Sequence, residues 1–320
     1  MIVEPFVGEV FDREARDAYY GSMDEIAMVD DRFRELALPN AWLEKICGGM
    51  MWAEGPVYFA GLDLLLWSDI PANRMMRLTG SSVTVFRSPS NYSNGNTRDR
   101  QGRLVTCEHG TRRVTRTEID GAITVLADSY RGRRLNSPND VVVKSDGTIW
   151  FTDPDYGILT DYEGHRGERE QDGCHVYRID PAKGTVEIAA DDLARPNGLC
   201  FSPDESLLYV SDTSASHDRH GNHHIRAFRV DDSARLHGSR VFAEVEPGLP
   251  DGFRVDERGN IWTSCGEGVH CYSPDAELLG KLLVPEVVSN ITFGGRRRNR
   301  LFITASTSLY SLYVAVRGAR

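Results

Sequence analysis

Residues 145–153 read SDGTIWFTD: a turn-forming tetrapeptide, then a β-branched and aromatic run that ends on a hydroxyl and an acid. Ser, Asp and Gly bend a chain, whereas Ile, Trp, Phe and Thr suit a pleated, buried surface, so the stretch reads as a turn feeding a short strand. The pattern recurs. LLWSD at 65–69, LVTCE at 104–108, IWFTD at 149–153, LYVSD at 208–212, IWTSC at 261–265 and LFITA at 301–305 make six copies, with ends 39, 45, 59, 53 and 40 residues apart. SPDES at 202–206 and ERGN at 257–260 supply similar turn chemistry ahead of two further copies. Between copies lie strand pairs that fold back on themselves: VTRTEIDGAITVLAD at 114–128, around Asp120-Gly121, and VYRIDPAKGTVEIAA at 176–190.

One small twisted sheet cannot bury both faces alone, but it can when stacked radially against like neighbours. A unit of about four strands with a period of ~40–50 residues is therefore a propeller blade. The sequence predicts an all-β fold, a six-bladed β-propeller. ELALPNAWLEKICGG at 35–49 is apolar enough to add a strand to the last blade, closing the ring and removing exposed sheet edges. The expected organisation is a short, acidic, partly helical N-terminal extension at 1–34, serving as a surface element or homo-oligomer contact, then one propeller domain at 35–320.

With 37 Lys+Arg against 47 Asp+Glu the formal charge is −10, and no sustained basic stripe is present. Nucleic acid and anionic membranes are therefore not expected partners, because there is no surplus of cations to displace counterions. Acidic residues interrupt every apolar stretch of MIVEPFVGEVFDREARDAYYGSMDE, and no window approaches the ~18 apolar residues of a spanning helix, so a cytoplasmic location is expected. Six cysteines stand singly with no CxxC pair and are expected to be reduced. Neither a GxSxG elbow nor a nucleotide-binding glycine loop occurs.

Inner strands of a propeller run along a central channel, so polar residues at the start of each blade converge though distant in sequence. The segments there are WAEGP at 52–56, NGNT at 94–97, NSPND at 136–140, RPNG at 195–198, LPDG at 249–252 and VSNI at 288–291. Taking Glu54, Asn96, Asn139, Asn197, Asp251 and Asn290 gives two carboxylates and four amides, all offering oxygen. Such a set suits a hard divalent cation, whereas structural zinc would recruit Cys or His. Asn, Asp, Gly and Pro are also what any blade-to-blade turn would use, so each Asn alone reads equally as a turn residue. Glu54 does not, since it sits in an otherwise apolar strand entrance. SHDRHGNHH at 216–224 carries His217, His220, His223 and His224, but Gly221 and Asn222 mark it as a solvated loop on the rim of blade four, placed where a lid could form.

Taken in order, WAEGP, CEHGTRRVTR at 107–116, NSPNDVVVKSDGTIWFTDPDYG at 136–157, RPNGLCFSPDESLLYVSDT at 195–213, LPDGFRVDERGNIW at 249–262 and NITFGG at 290–295 form a specific series. From about residue 46 to about residue 314 the chain resembles the family of senescence marker protein (regucalcin), bacterial gluconolactonases and, more distantly, squid diisopropylfluorophosphatase. The central motif is most similar to the bacterial gluconolactonase branch. The resemblance implies a divalent metal held by Glu54, Asn197 and Asp251, with Asn139 completing the shell directly or through water and substrate. Ca²⁺ is the first expectation, and Mg²⁺, Mn²⁺ or Zn²⁺ fit the same oxygens.

The implied reaction is metal-assisted hydrolysis of a sugar-type lactone, with Asp251 in proton transfer and Glu54 in ligation and charge balance. Asn139, Asn96, His109 and Asn290 are the expected substrate contacts. The animal branch carries a substrate-binding Arg two residues before the match to Asn139; here Ser137 stands there, leaving Arg134 or His109 as replacements. A phosphotriesterase or other ester hydrolase on the same site is the alternative activity. A ligand-binding propeller, rigidified by calcium, is the non-enzymatic one, and the pairing of Glu54 with Asp251 favours an enzyme.

Overall fold

A computed structural model describes residues 25–319. Each copy of the repeat is the second strand of a sheet: Leu64–Asp69, Leu104–Glu108, Ile149–Asp153, Leu207–Asp212, Ile261–Cys265 and Arg300–Ala305. These strands are buried on both faces, which explains why they read as nearly continuous apolar runs rather than alternating ones. Their innermost neighbours are Ala53–Phe59, Ser93–Arg98, Val141–Val143, Pro196–Phe201, Phe253–Val255 and Val288–Gly294, and these line the axis.

The core lies between blades. Leu104 of blade two packs on Leu66 and Met75 of blade one, and Val105 and Val114 pack on Phe151 and Tyr177 of blade three. Trp150 meets Leu208 and Val210 of blade four, and Tyr209 and Ile225 meet Phe253 and Ile261 of blade five. Trp262 and Val269 join Ile291 and Ile303 of blade six, and Phe302 and Leu309 return to Leu65 and Trp67 of blade one. Among the described residues the ring thus closes by sheet-on-sheet packing into a six-bladed β-propeller. Blade six takes its outer strand, Glu44–Gly48, from the segment before blade one, with Glu44 opposite Ser311 and Gly48 opposite Ser308.

Residues 26–34, placed by the sequence reading in an extension outside the propeller, cover blade five. Ile26–Met28 is a fifth strand there, with Ile26 opposite Leu282 and Met28 opposite Gly280. A 3-10 turn at Asp31–Glu35 follows, capped by Asp30, whose Oδ1 accepts from the Arg32 amide at 2.9 Å. It drives Phe33, fully buried, onto Trp262 with ring centroids 5.7 Å apart; Gly280 leaves the room for that ring. A three-residue strand shows no periodicity to read, and its partner lies at the other end of the chain. Of the partly helical extension expected at 1–34, residues 1–24 lie outside the described residues.

The two longest spacings of the repeat are insertions. Residues 154–174 join the second and third strands of blade three, and 213–223 do so in blade four. In an antiparallel blade the second strand ends where the inner strand begins, so both insertions rise over the same mouth of the channel. All six cysteines are free. No helix among the described residues is long and apolar enough to cross a membrane.

Candidate active site

Irregular inner strands build the site. Glu54 lies opposite Ser68 but Val57 opposite Leu66, and Pro196 opposite Asp212 but Leu199 opposite Val210, so each of these two inner strands carries one extra residue at the mouth. A bulge of this kind re-aims the side chains beside it. At Gly55 the backbone is left-handed, φ +53°, and a Cβ would collide with the carbonyl of Asn94, so Glu54 must be followed by glycine.

The hydroxyls and acids of the repeat hold these strand ends. Ser68 Oγ donates to the Asn94 carbonyl at 2.7 Å, Thr152 Oγ1 to the Asn197 carbonyl at 2.6 Å, and Ser211 Oγ to the Asp251 carbonyl at 3.0 Å, each reaching the next blade. Asp69 Oδ1 accepts from the Met51 amide, Asp153 Oδ2 from the Asn136 amide and Asp212 Oδ2 from the Ala194 amide, all at 2.8 Å, fixing the chain just before each inner strand.

A cavity of ≈ 390 Å³ opens at this mouth, and Glu54, Asn139, Asn197 and Asp251 all line it. Glu54 Oε2 accepts from the Gly55 amide at 2.5 Å and from Asn290 Nδ2 at 3.0 Å. Burial, and then the charge of Asp251, push its carboxyl well above the ordinary range, while the Asn290 and Gly55 donors pull the other way. Burial, and then the charges of Glu163 and Asp140, push Asp251 up to about 8, opposed by the Asn197 amide. Asn197 donates through Nδ2 to Thr213 Oγ1 at 3.1 Å. Asn139 is gripped by its backbone, donating to the Thr152 carbonyl at 2.8 Å and accepting from Gly95 at 2.7 Å, so its amide stays available to the cavity. Deeper in the channel, Asp140 Oδ2 lies 3.6 Å from Arg254 Nη1. Among the described residues no Lys or Arg pairs with Glu54 or Asp251. Nor do three or more His, Cys, Asp and Glu come together closely enough to hold a metal ion by themselves, so any cation site here depends on amide oxygens as well.

Three expected substrate contacts fall elsewhere. Asn96 is consumed by the framework: Nδ2 donates to the Gly55 carbonyl at 2.9 Å and to Ser68 Oγ at 2.9 Å, and Oδ1 accepts from Thr106 at 2.9 Å. The bulge between Ser93 and Asn96 turns Asn94 to the cavity in its place. Asn290 is committed on both sides, to Glu54 and to the Ile291 amide at 2.8 Å. His109 is fully buried behind the wall, with Nε2 against Asn94 Nδ2 at 3.2 Å and Nδ1 against the Glu163 carbonyl at 3.1 Å. Burial lowers its pKa to about 4, so it is neutral at ordinary pH. Ser137 is also structural, donating to the Pro154 carbonyl at 2.6 Å and accepting from the Gly157 amide at 2.9 Å. Arg134 stands exposed on the two-stranded ribbon of Ser129–Tyr130 and Arg133–Arg134, away from the cavity.

Sequence reasoning passed over Glu163 and Tyr156 from the first insertion, and Trp52, Ile70 and Leu249 from the walls. The 59-residue spacing was the available signal, because extra length at this mouth must lie over the site. Of the histidine-rich loop, His217 lines the cavity. His220 accepts from Arg219 and His223 lies against the Val245 carbonyl, while His224 opens the third strand of blade four with its Nε2 unpartnered among the described residues.

The same fold recurs in known proteins. The chain is 32% identical over 289 residues to a gluconolactonase of Zymomonas mobilis, covering 82% of this chain and 79% of that protein. It is 29% identical to a pentonolactonase of Haloferax volcanii, over 79% and 81% of the two chains. A solved gluconolactonase of Xanthomonas campestris superposes with a TM-score of 0.85 at 39% identity, over 91% of this chain and 95% of that one. Residues 52–307, spanning every inner strand that lines the channel, match the SMP-30/Gluconolactonase/LRE-like region, and the chain belongs to that family.

Proposed function

We propose that the protein is a hydrolase that opens the ester ring of sugar-type lactones with the help of one divalent cation. The observation that carries this reading is the meeting of Glu54 and Asp251 with the amides of Asn139 and Asn197 in one cavity, two like charges resisting ionisation with no cationic side chain beside them. Such carboxylates need a positive partner, and an all-oxygen set fits Ca²⁺ first and Mg²⁺, Mn²⁺ or Zn²⁺ after it. When bound by these four residues, a divalent cation supplies the positive charge that polarises an ester carbonyl and acidifies water.

The chain's own groups do the rest. Asp251, held basic by its surroundings, accepts the proton of the attacking water, and the free amide of Asn139 donates to the oxygen on which charge develops. Glu54, fixed by Gly55 and Asn290, balances charge without moving. Trp52, Ile70 and Val288 supply apolar wall that excludes bulk water. The glucono- and pentonolactonase relatives support a sugar lactone as the substrate.

The test is proton release from a panel of aldonolactones by metal-stripped protein, before and after each divalent ion is restored, with Glu54→Gln alongside. Hydrolysis should return with a cation and fall at least about 100-fold in Glu54→Gln. Folded, cation-loaded protein that opens no lactone would turn the reading towards another ester or towards a ligand-binding propeller.

A further inference from the structure

The channel has a second end, and its charge is opposite to that of the first. Each inner strand starts at the mouth that holds Glu54 and Asp251 and runs away from it. The later residues of all six strands, among them Val57, Arg98, Val143, Phe201, Arg254 and Thr292, enclose a separate cavity of ≈ 200 Å³. No residue lines both cavities.

Arg98, Arg100 and Arg254 line this space against one acid, Glu205. Glu205 is already shared, its Oε1 3.3 Å from Arg100 Nη2 and its Oε2 3.2 Å from Lys144 Nζ. Arg100 is fixed in place by donating through Nε to the Lys144 carbonyl at 3.0 Å and through Nη2 to the Val143 carbonyl at 3.3 Å, which leaves Nη1 open. Arg254 is mostly buried. Its Nη1 donates to the Phe253 carbonyl at 2.7 Å and lies 3.6 Å from Asp140 Oδ2, while Nε and Nη2 have no acceptor among the described residues. Arg98 makes no hydrogen bond or ion pair among the described residues, and the hydroxyls of Thr97 and Thr292 in the same wall make no hydrogen bond there either. Arg296 and Arg297, on the turn that follows the last of these strands, stand exposed and unpaired among the described residues and extend the positive field to the rim.

A guanidinium carries five donors in a planar fork, and donors drawn into a cleft without acceptors are costly. The three arginines against Glu205 leave a surplus of two positive charges in a chain whose formal charge is −10, so the concentration is local and not a matter of composition. Phosphate brings about −1.5 to −2 charges at neutral pH and acceptor oxygens on every side, and arginine binds it through paired hydrogen bonds. We propose that this second mouth is a binding site for a phosphate-class dianion, either inorganic phosphate or the phosphate group of a small ester, held by Arg98, Arg100 and Arg254. The site is separate from the lactonase chemistry and does not depend on it.

The test is calorimetric titration of the cation-loaded protein with inorganic phosphate and, separately, with glucose 6-phosphate, at matched ionic strength, in the wild type, Arg98→Gln, Arg98→Lys and Arg98→Gln/Arg254→Gln, with melting temperatures recorded for each. One anion should bind per chain. Arg98→Gln should weaken binding at least about tenfold, Arg98→Lys, which keeps the charge and loses the fork, should fall between, and the double variant should bind nothing. Tighter binding of the ester would assign the site to a phosphorylated small molecule, and equal or weaker binding to the free ion. Absence of binding by both anions would overturn the proposal. So would binding that Arg98→Gln leaves unchanged, which would place the anion elsewhere, as on the cation at the other mouth. Arg98 is exposed, so Arg98→Gln decides the matter should the double variant not fold.

Discussion

Asp251 is held in a place that resists its charge, and that resistance is what fits it to take a proton. Its pKa near 8 comes from burial first and from neighbouring carboxyls second. An amide there keeps the shape and removes both the base and the buried charge. Asp251→Asn is therefore expected to lose at least about 100-fold in kcat while the cation-free protein melts no lower than wild type at pH 8. Steady-state hydrolysis beside a thermal melt checks both halves, and a fully active variant would remove Asp251 from the chemistry. At this scale the sequence was only half legible. Glu54 stood out because it sits in an otherwise apolar strand entrance, and Asp251 through the family resemblance, but the asparagines of the blade turns look alike on paper. Partners distinguish them: Thr213 holds the side chain of Asn197 within the cavity wall, whereas Glu54 and the Ile291 amide consume that of Asn290.

At the scale of strands and loops, what could be read was what local chemistry encodes. Turn residues followed by a doubly buried run mark every second strand, and the apolar content of 35–49 marks the closing strand Glu44–Gly48. The bulges were not legible, since they arise where neighbouring inner strands crowd at the axis, nor was the strap at 26–35, whose anchor is a long-range contact. Phe33 is that anchor, buried against Trp262 in the space left by Gly280. Phe33→Ala should cost about 3–5 kcal/mol, the range for deleting a buried aromatic. Denaturant unfolding with unchanged slope would read it, and a loss below about 1 kcal/mol would mean that the strap adds little to blade five.

Across the whole molecule, closing six blades on one axis brings together charges that the chain keeps far apart in sequence. Glu54, Asp251 and Glu163 converge at one mouth with Asp140 deeper in the channel, and Arg254 is placed to offset only Asp140. Folding without a cation therefore works against their ionisation. Asp251 at about 8 and Glu163 and Asp153 at about 7 all sit above their unfolded values near 4. Above about pH 6.5 the folded chain thus holds protons that the unfolded chain has already released, and stability falls as pH rises through about 8. Groups shifted the other way act in lower windows. His109 at about 4 makes stability rise with pH only up to about 6.5, and Glu286 at about 2 loses its contribution only below about 4.5. A divalent cation binds the deprotonated carboxylates, so it should stabilise more at pH 8 than at pH 6.5. Scanning calorimetry at the two pH values, with and without Ca²⁺, should show a cation-free melting temperature that drops towards pH 8 and a Ca²⁺ shift that grows. In Glu54→Gln the growth should shrink. A Ca²⁺ shift equal at the two pH values would place any bound ion away from Glu54 and Asp251, and would leave the convergence of the blades on that mouth without its chemical purpose.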